Sequence, residues 1–485
     1  MLKLKRLLWL ILFMLAAVFS FVSQVAAAKD NTTDPKVILE VRSLIENYEL
    51  SNPDPGALTD GAVGGMLYAT GDKYAEYFDS EASVKEFVDA VNGALIGIGV
   101  ELITRSGYPA ITKIYPDTPA EREGLQAGDL IIAIDGNSTQ GRSMDVVTKA
   151  LAGAAGDKAV LTIQRGENTF TVALQRAEVR IPSVTFELLP GQTGYIALNT
   201  FGADTAVAFK SALDNLRGQG AESLIIDLRD NGGGYSYAAL DIASNFLPAD
   251  AVMVIVEDNK GHRKKIQTAG DSTVTDWPIV VLMNTKTASA SEVLAGALRD
   301  NKLARLVGQV TYGKGVMQTM FSLSNGGALK ITTERYFTPA GVNINNTGLI
   351  PDYDVLTPEL QKGVAWHLLN PQVAPVLSFV PGKAALLDGQ ETGLAIEPMK
   401  VGGREYLPIR SVLESMLYRV HWEQGNIRVI DGKTGQLFYT FSKAGSAANG
   451  NIIGSHISYM AVDLCPQFNI NITKEQGVYK LERRL

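Results

Sequence analysis

The spacing of apolar positions changes along this chain, and each change marks a different kind of element. Val37, Ile38, Val41, Leu44 and Ile45 recur on one stripe of a 3.6-residue repeat, and small and apolar residues continue at helical spacing through "LTDGAVGGMLYATGDKYAEYF". This predicts a helical region over 29–83. From 84 to 178 the pattern shortens to β-branched runs, "ITKIY", "DLIIAID" and "KAVLTIQR", separated by Gly, Asp, Asn and Pro. A compact β-rich module is expected there, with one short helix at "SMDVVTKALAG" and one capped turn at "DTPAEREGLQAGD".

Between 179 and 370 strand and helix patterns alternate: "TGYIALNTF", "TAVAFKSALDNLRGQ", "SLIIDLR", "YSYAALDIASNFL", then "WPIVVLMN". Alternation of this kind predicts an α/β core on a largely parallel sheet. The remainder, 375–485, reads as a β-rich unit with one helix at "LPIRSVLESMLY", joined to the core by a Pro-bearing linker around 370–381.

The first 28 residues change the picture of where the chain resides. Lys3, Lys5 and Arg6 precede an apolar run to about Val22, followed by Ala26 and Ala28 at the spacing of an export cleavage site. A secretory signal over 1–28 is expected, with an uncleaved anchor as the alternative; either places the body outside the cytoplasm. Its removal leaves 457 residues and moves the formal charge from −7 to −10. An acidic body without a basic block does not suit nucleic acid. The single cysteine, Cys465, excludes an internal disulfide.

Three stretches carry candidate chemistry. In "TASASEVLAGALRD" Ser289 and Glu292 fit a Ser-x-x-Glu capping box, which is a sufficient structural explanation. Yet a buried strand runs straight into this helix, so Ser289 stands where a strand-to-helix turn projects into a cleft, beside the electropositive helix start. A nucleophilic serine needs a base. His262, His367, His421 and His456 all lie outside Gly-rich or catalytic-looking contexts. Lys314, between Gly313 and Gly315 in "GQVTYGKGVMQTM", is the alternative, provided desolvation lets its neutral amine exist. On a strand Lys314, Val316 and Gln318 would share one face, allowing Gln318 to orient the amine. In "LIIDLRDNGGGYS" the glycines serve either a strand-ending turn or a loop whose amides complete an oxyanion hole with that of Ala290; Gly233 and Gly234 are the candidates.

Taken in order, "DLRDNGGG", "TASASEVLAGALRD" and "GQVTYGKGVMQ" resemble the carboxyl-terminal processing peptidases, or tail-specific proteases, of serine-lysine type. The resemblance spans about residues 35–355. It implies an exported serine endopeptidase with Ser289 as nucleophile, Lys314 as general base and Gln318 as its orienting partner. Asp300 matches a further acidic family position; a negative charge touching the lysine would raise its pKa, so a structural role is expected. Thr287, Gly232 and Tyr312 depart from the usual serine, proline and phenylalanine without removing a catalytic atom.

The β-rich module is similar to a PDZ domain, with Gly97, Ile98, Gly99 and Val100 at the loop whose amides would take a terminal carboxylate. The C-terminal unit resembles the small domain found at the N terminus of copper amine oxidases, and the likeness brings no metal site. The implied fold is a multidomain α/β chain: a crotonase/ClpP-like α/β protease core, an inserted PDZ module, an N-terminal helical segment and a C-terminal α+β domain. No cofactor or metal is expected. The expected partners are protein or peptide substrates with flexible C termini, with cell-wall or membrane-surface association and homo-oligomerisation left open. A PDZ scaffold whose protease-like core binds without cutting is the alternative. A crotonase-type acyl-CoA enzyme would share the architecture but not the exported location.

Overall fold

The computed structural model describes residues 34–105, 107–270, 276–443, 450–454 and 457–484; the expected signal segment and His456 lie outside them. The chain divides into two compact units, one formed by residues up to 81 with 320–331, the other by 82–319 with 332 onward.

In the first unit the expected helices form at Lys36–Tyr48 and Pro55–Thr70. The second is capped by Asp54, whose carboxylate accepts from Ala57 N, has Pro55 at its start and ends on Gly71 in the left-handed region. Neither helix buries a residue. A short strand, Glu76–Phe78, pairs antiparallel with Ala328–Lys330.

From Ala82 the second unit carries the helix Glu81–Val91, which crosses the expected boundary at 84 because Val84, Phe87, Val88 and Val91 share one helical face. Strands of the β-rich module begin at Ala94. Ala94–Gly97 pairs with Ala177–Arg180 and closes the base of the module. Above it Val100–Arg105, Tyr108–Ile114, Leu130–Ile134, Lys158–Arg165 and Asn168–Gln175 form an antiparallel sheet, with Val100–Arg105 at one edge. Ile111, Ile131, Leu161, Ile163 and Leu174 fill its core together with Val147 and Leu151 from the helix Met144–Leu151.

The α/β core is a six-stranded sheet in the order Val184–Leu189, Thr193–Leu198, Ser223–Asp227, Ile279–Met283, Ala304–Gly308, Tyr353–Asp354, parallel after the first antiparallel pair. Its central strands read as unbroken apolar runs because both faces are covered. Leu224, Ile226, Val281 and Met283 face Phe209, Leu213, Ile242, Phe246 and Leu294 from three helices. Ile225, Val280, Leu282 and Val307 face Val364 and Ala365 of the helix Gln361–Leu369 on the other side.

The C-terminal region has its own core, in which Leu377, Tyr406, Val412, Leu413, Tyr418, Phe441 and Phe468 are all buried. The stretch expected as a linker is not free chain. Val376–Phe379 is a strand paired with Val478–Arg483, and Asn370 is buried, donating to Thr193 Oγ1 at 3.1 Å. Pro375 stands just before the strand, a position where its missing N–H costs no ladder bond.

Candidate active site

The buried strand Ile279–Met283 ends in a turn at 284–288, and the helix Ala290–Asp300 follows. Asn284 and Thr287 close the turn on each other: Asn284 N donates to Thr287 Oγ1 and Thr287 N to Asn284 O, each at 3.0 Å. The Thr287 hydroxyl donates onward to Leu228 O at 2.8 Å, so threonine serves here in place of serine. Ser289 then takes φ 58°, ψ −118°, a conformation strained for any residue with a Cβ. Among buried neighbours Ser289 is partly exposed. A strained, partly exposed serine between a strand and a helix is the geometry that presents a nucleophile.

The glycine loop closes on this turn from the adjacent strand Ser223–Asp227. Asn231, fully buried, donates through Nδ2 to Leu198 O at 2.7 Å, while its carbonyl accepts from Ala288 N at 3.1 Å and Ser291 Oγ at 2.9 Å. A Cβ on Gly233 would lie 2.8 Å from Ser289 Cβ and 3.0 Å from Ala290 N, so only glycine allows the loop this close. The expected amide donor at Gly233 is corrected by the structure: its N–H is held by Asn231 Oδ1 at 2.9 Å, because the loop bends back on its own Asx side chain. Gly234 remains exposed at φ 142°, pressed against Phe201 O. Ala290 N–H, at the first helical position, has no carbonyl one turn back to bond.

Glu292 is the residue whose role the sequence understated. As a capping box predicts, its carboxylate accepts from Ser289 N, at 2.9 Å through Oε2. The same Oε2 accepts from Lys314 N at 2.9 Å, while Oε1 accepts from Gly313 N at 2.8 Å and Thr311 Oγ1 at 2.5 Å. Glu292 as a residue is 1% exposed. The backbones of Ser289 and Lys314 are therefore clipped to one oxygen atom, within two hydrogen-bond lengths of each other.

Lys314 is half-buried and lies in loop, not strand: Val316–Ser322 begins two residues later. Gly313 at φ 81° and Gly315, packed onto the Asn345 backbone, turn the chain first, so the shared strand face expected for Lys314 and Gln318 does not form. Gln318 is in that strand, half-buried, and donates through Nε2 to Thr332 Oγ1 at 3.1 Å. Asp300 does not sit in this cluster; it accepts from Arg299 Nε at 3.0 Å and Ala340 N at 2.9 Å, tying a loop to the helix end. Of the histidines, His262 pairs with Asp258, His367 with Asp388 and His421 with Asp354.

Arg229 anchors the start of the glycine loop. Its guanidinium grips Asp227 through Nε and Nη2 and reaches Pro358 O at 3.0 Å. Burial alone would lower its pKa; the Asp227 carboxylate outweighs this and holds it up. Tyr195, donating to Asp227 Oδ2 at 2.7 Å, is raised by its burial and by the same carboxylate. Tyr235, just after the glycines, stacks on Tyr237 at 5.2 Å and is raised by burial first, then by that neighbour.

In the β-rich module Ile98 is buried and its carbonyl accepts from Ala120 N at 2.9 Å, while Gly99 O accepts from Tyr115 N at 3.0 Å. Gly97 pairs with Ala177 and Val100 with Ile114. Gly99, at φ 84°, packs so tightly on Thr118 that a Cβ would fall 2.3 Å from the threonine Cβ.

A strained serine at the end of an α/β sheet strand, clipped to a lysine loop and with a glycine loop packed against it, is the kind of arrangement a serine-type hydrolase uses. Residues 192–355 match the profile of peptidase family S41, and 111–165 that of the PDZ domain. A probable CtpA-like serine protease of Staphylococcus haemolyticus is 33% identical over 337 residues, 69% of this chain and 67% of that protein. Its counterpart in Staphylococcus aureus is 32% identical over 348 residues, 71% of this chain and 70% of the relative. A solved photosystem II D1 C-terminal processing protease is 32% identical, covering 66% of this chain and 87% of its own, with a TM-score of 0.45. The chain belongs to peptidase family S41, among the CtpA-like serine proteases, and carries a PDZ domain.

Proposed function

We propose that this serine peptidase is an exported endopeptidase that captures protein substrates by their C-terminal tails and cleaves them with a serine-lysine site. The observation that carries this is the Glu292 clip, which holds the Ser289 and Lys314 amides on one carboxylate oxygen at 2.9 Å each. The neutral Lys314 amine takes the proton of Ser289 as its oxygen attacks the scissile carbonyl. The amides of Ala290 and Gly234 stabilise the oxyanion, aided by the helix start. Lys314 then returns the proton to the leaving amine, and water repeats the sequence on the acyl-enzyme. Gln318, in the strand that follows the lysine loop, is assigned the role of orienting the lysine without adding charge to it.

Tail capture is assigned to the open edge strand Val100–Arg105 and the loop from Gly97 to Val100. A peptide added as a strand there would gain main-chain bonds, and its terminal carboxylate would meet the loop amides. Export rests on the N-terminal segment. The test is a loosely folded substrate with an apolar tail, supplied with a free or an amidated C terminus. Amidation should lower kcat/KM at least tenfold with little change in kcat; equal cleavage of the two forms would remove the tail-capture claim.

A further inference from the structure

Away from the nucleophile, a cavity of about 350 Å³ lies where the core helix Gln361–Leu369 meets the hairpin at 384–395. This is within the range of small-ligand sites. Leu189, Pro190, Trp366 and Leu387 line it with apolar surface. Its charged lining is unevenly matched. Arg229 is locked to Asp227, Lys362 donates to Glu187 Oε1 at 2.6 Å and lies over the Tyr195 ring at 4.1 Å, and Asp388 pairs with His367 at 2.6 Å. Glu359 and Glu391, both solvent-exposed residues of the lining, have no ion-pair partner among the described residues.

Both cations of the lining are therefore satisfied from outside the cavity, and two carboxylates are left over. An anionic ligand would have to break an existing pair and face those carboxylates. A neutral apolar one would leave the carboxylates unused. We infer that this cavity is a binding site for an organic cation: one positive charge at the mouth, between Glu359 and Glu391, with an apolar stem or ring lying against Trp366 and Leu387. The Trp366 indole is already oriented by its N–H, which donates to Pro190 O at 2.8 Å. Its ring is thus a fixed wall, available to stack on an apolar or cationic group. The same chemistry is offered by a free aralkyl amine and by a lysine or arginine side chain flanked by apolar residues in a peptide.

The test follows the Trp366 indole N–H resonance of the full-length chain in titrations with 4-phenylbutylamine, with its neutral and anionic counterparts 4-phenylbutanol and 4-phenylbutanoate, and with a capped Leu-Lys-Phe peptide. The amine should saturate the shift and the alcohol and acid bind more weakly. Two solvent-exposed ion pairs at their usual strength predict about a five- to tenfold weaker amine Kd in Glu359→Gln/Glu391→Gln. Tighter binding by the peptide than by the amine would identify a protein side chain as the occupant, and the reverse a free amine. Equal binding of amine, alcohol and acid, an unchanged Kd in the double variant, or no saturable shift with any of the four would each overturn the assignment. Neither carboxylate touches the catalytic loops, so a fold control is unaltered cleavage by the double variant.

Discussion

Replacing Glu292 tests how nucleophile and base are brought together. Its carboxylate accepts four hydrogen bonds, two per oxygen, in a site 1% exposed. Glu292→Gln substitutes a donor for one acceptor. If the amide nitrogen takes the Oε2 position it meets two N–H groups, those of Ser289 and Lys314. If it takes the Oε1 position it meets the Gly313 N–H and the Thr311 hydroxyl, whose oxygen already accepts from Leu349 N at 2.6 Å and has one lone pair left to accept with. The second flip is the cheaper, and it still leaves one buried amide unmet and removes charge assistance from the rest. At about 1–3 kcal/mol for an orphaned buried donor, the expected loss of stability is about 2–3 kcal/mol. Glu292→Ala orphans all four donors and should lose about 4 kcal/mol or more, among the largest single-residue effects. Activity should fall further than stability alone accounts for, since a shift of about 1 Å in a catalytic group can cost about a hundredfold. The assay pairs urea unfolding with kcat on a flexible-tailed substrate below the unfolding transition. Wild-type kcat in folded Glu292→Gln would refute the clip as a positioning device, whatever the stability change.

Gly233→Ala should reduce kcat/KM about a hundredfold while costing about 1–3 kcal/mol, because the new methyl lands 2.8 Å from Ser289 Cβ at φ 104°; steady-state kinetics and melting curves read the two effects separately. Glu414 accepts from Leu356 N and Thr357 N, and burial pushes its carboxyl above the ordinary glutamate value against the pull of Thr357 and Arg410. A raised folded pKa means its contribution is full below the unfolded value and is lost as pH rises through the folded one. Glu414→Gln should therefore flatten the decline in stability as pH rises above the ordinary glutamate range of about 4, seen in urea unfolding, and an unchanged slope would contradict the assignment. Cys465 is fully buried and its thiol is pushed up to about 12 by burial first, then Asp463, so native protein at about pH 8 should resist a thiol reagent that labels it at once in denaturant.

Much of this fold was legible from spacing alone. The alternating runs from 193 to 284 gave the parallel sheet, since strands covered on both faces must be apolar throughout, as Leu224, Ile225 and Ile226 are. Three features were not legible. Glu292 looked complete as a capping box, because local spacing cannot reveal that amides at 313 and 314 return to the same carboxylate. The shared face considered for Lys314 and Gln318 held only if Lys314 lay on a strand, and the two flanking glycines, which turn the chain there, were the signal that it lies in a loop. Pro375 and Pro381 suggested a linker, yet the residues between them supply a strand to the C-terminal core. The Ser289 and Lys314 candidates themselves came from the combined order and interval of three motifs; each motif alone had an adequate structural explanation.

The central claim is that Ser289 and Lys314 form one catalytic unit. Intact-mass analysis of a loosely folded substrate with an apolar C-terminal tail, incubated with wild type, Ser289→Ala, Lys314→Ala and Lys314→Arg, tests it most directly. Cleavage by the wild type alone is the predicted result, the arginine variant failing because a guanidinium stays protonated. Undiminished cleavage by either lysine variant would contradict the serine-lysine site.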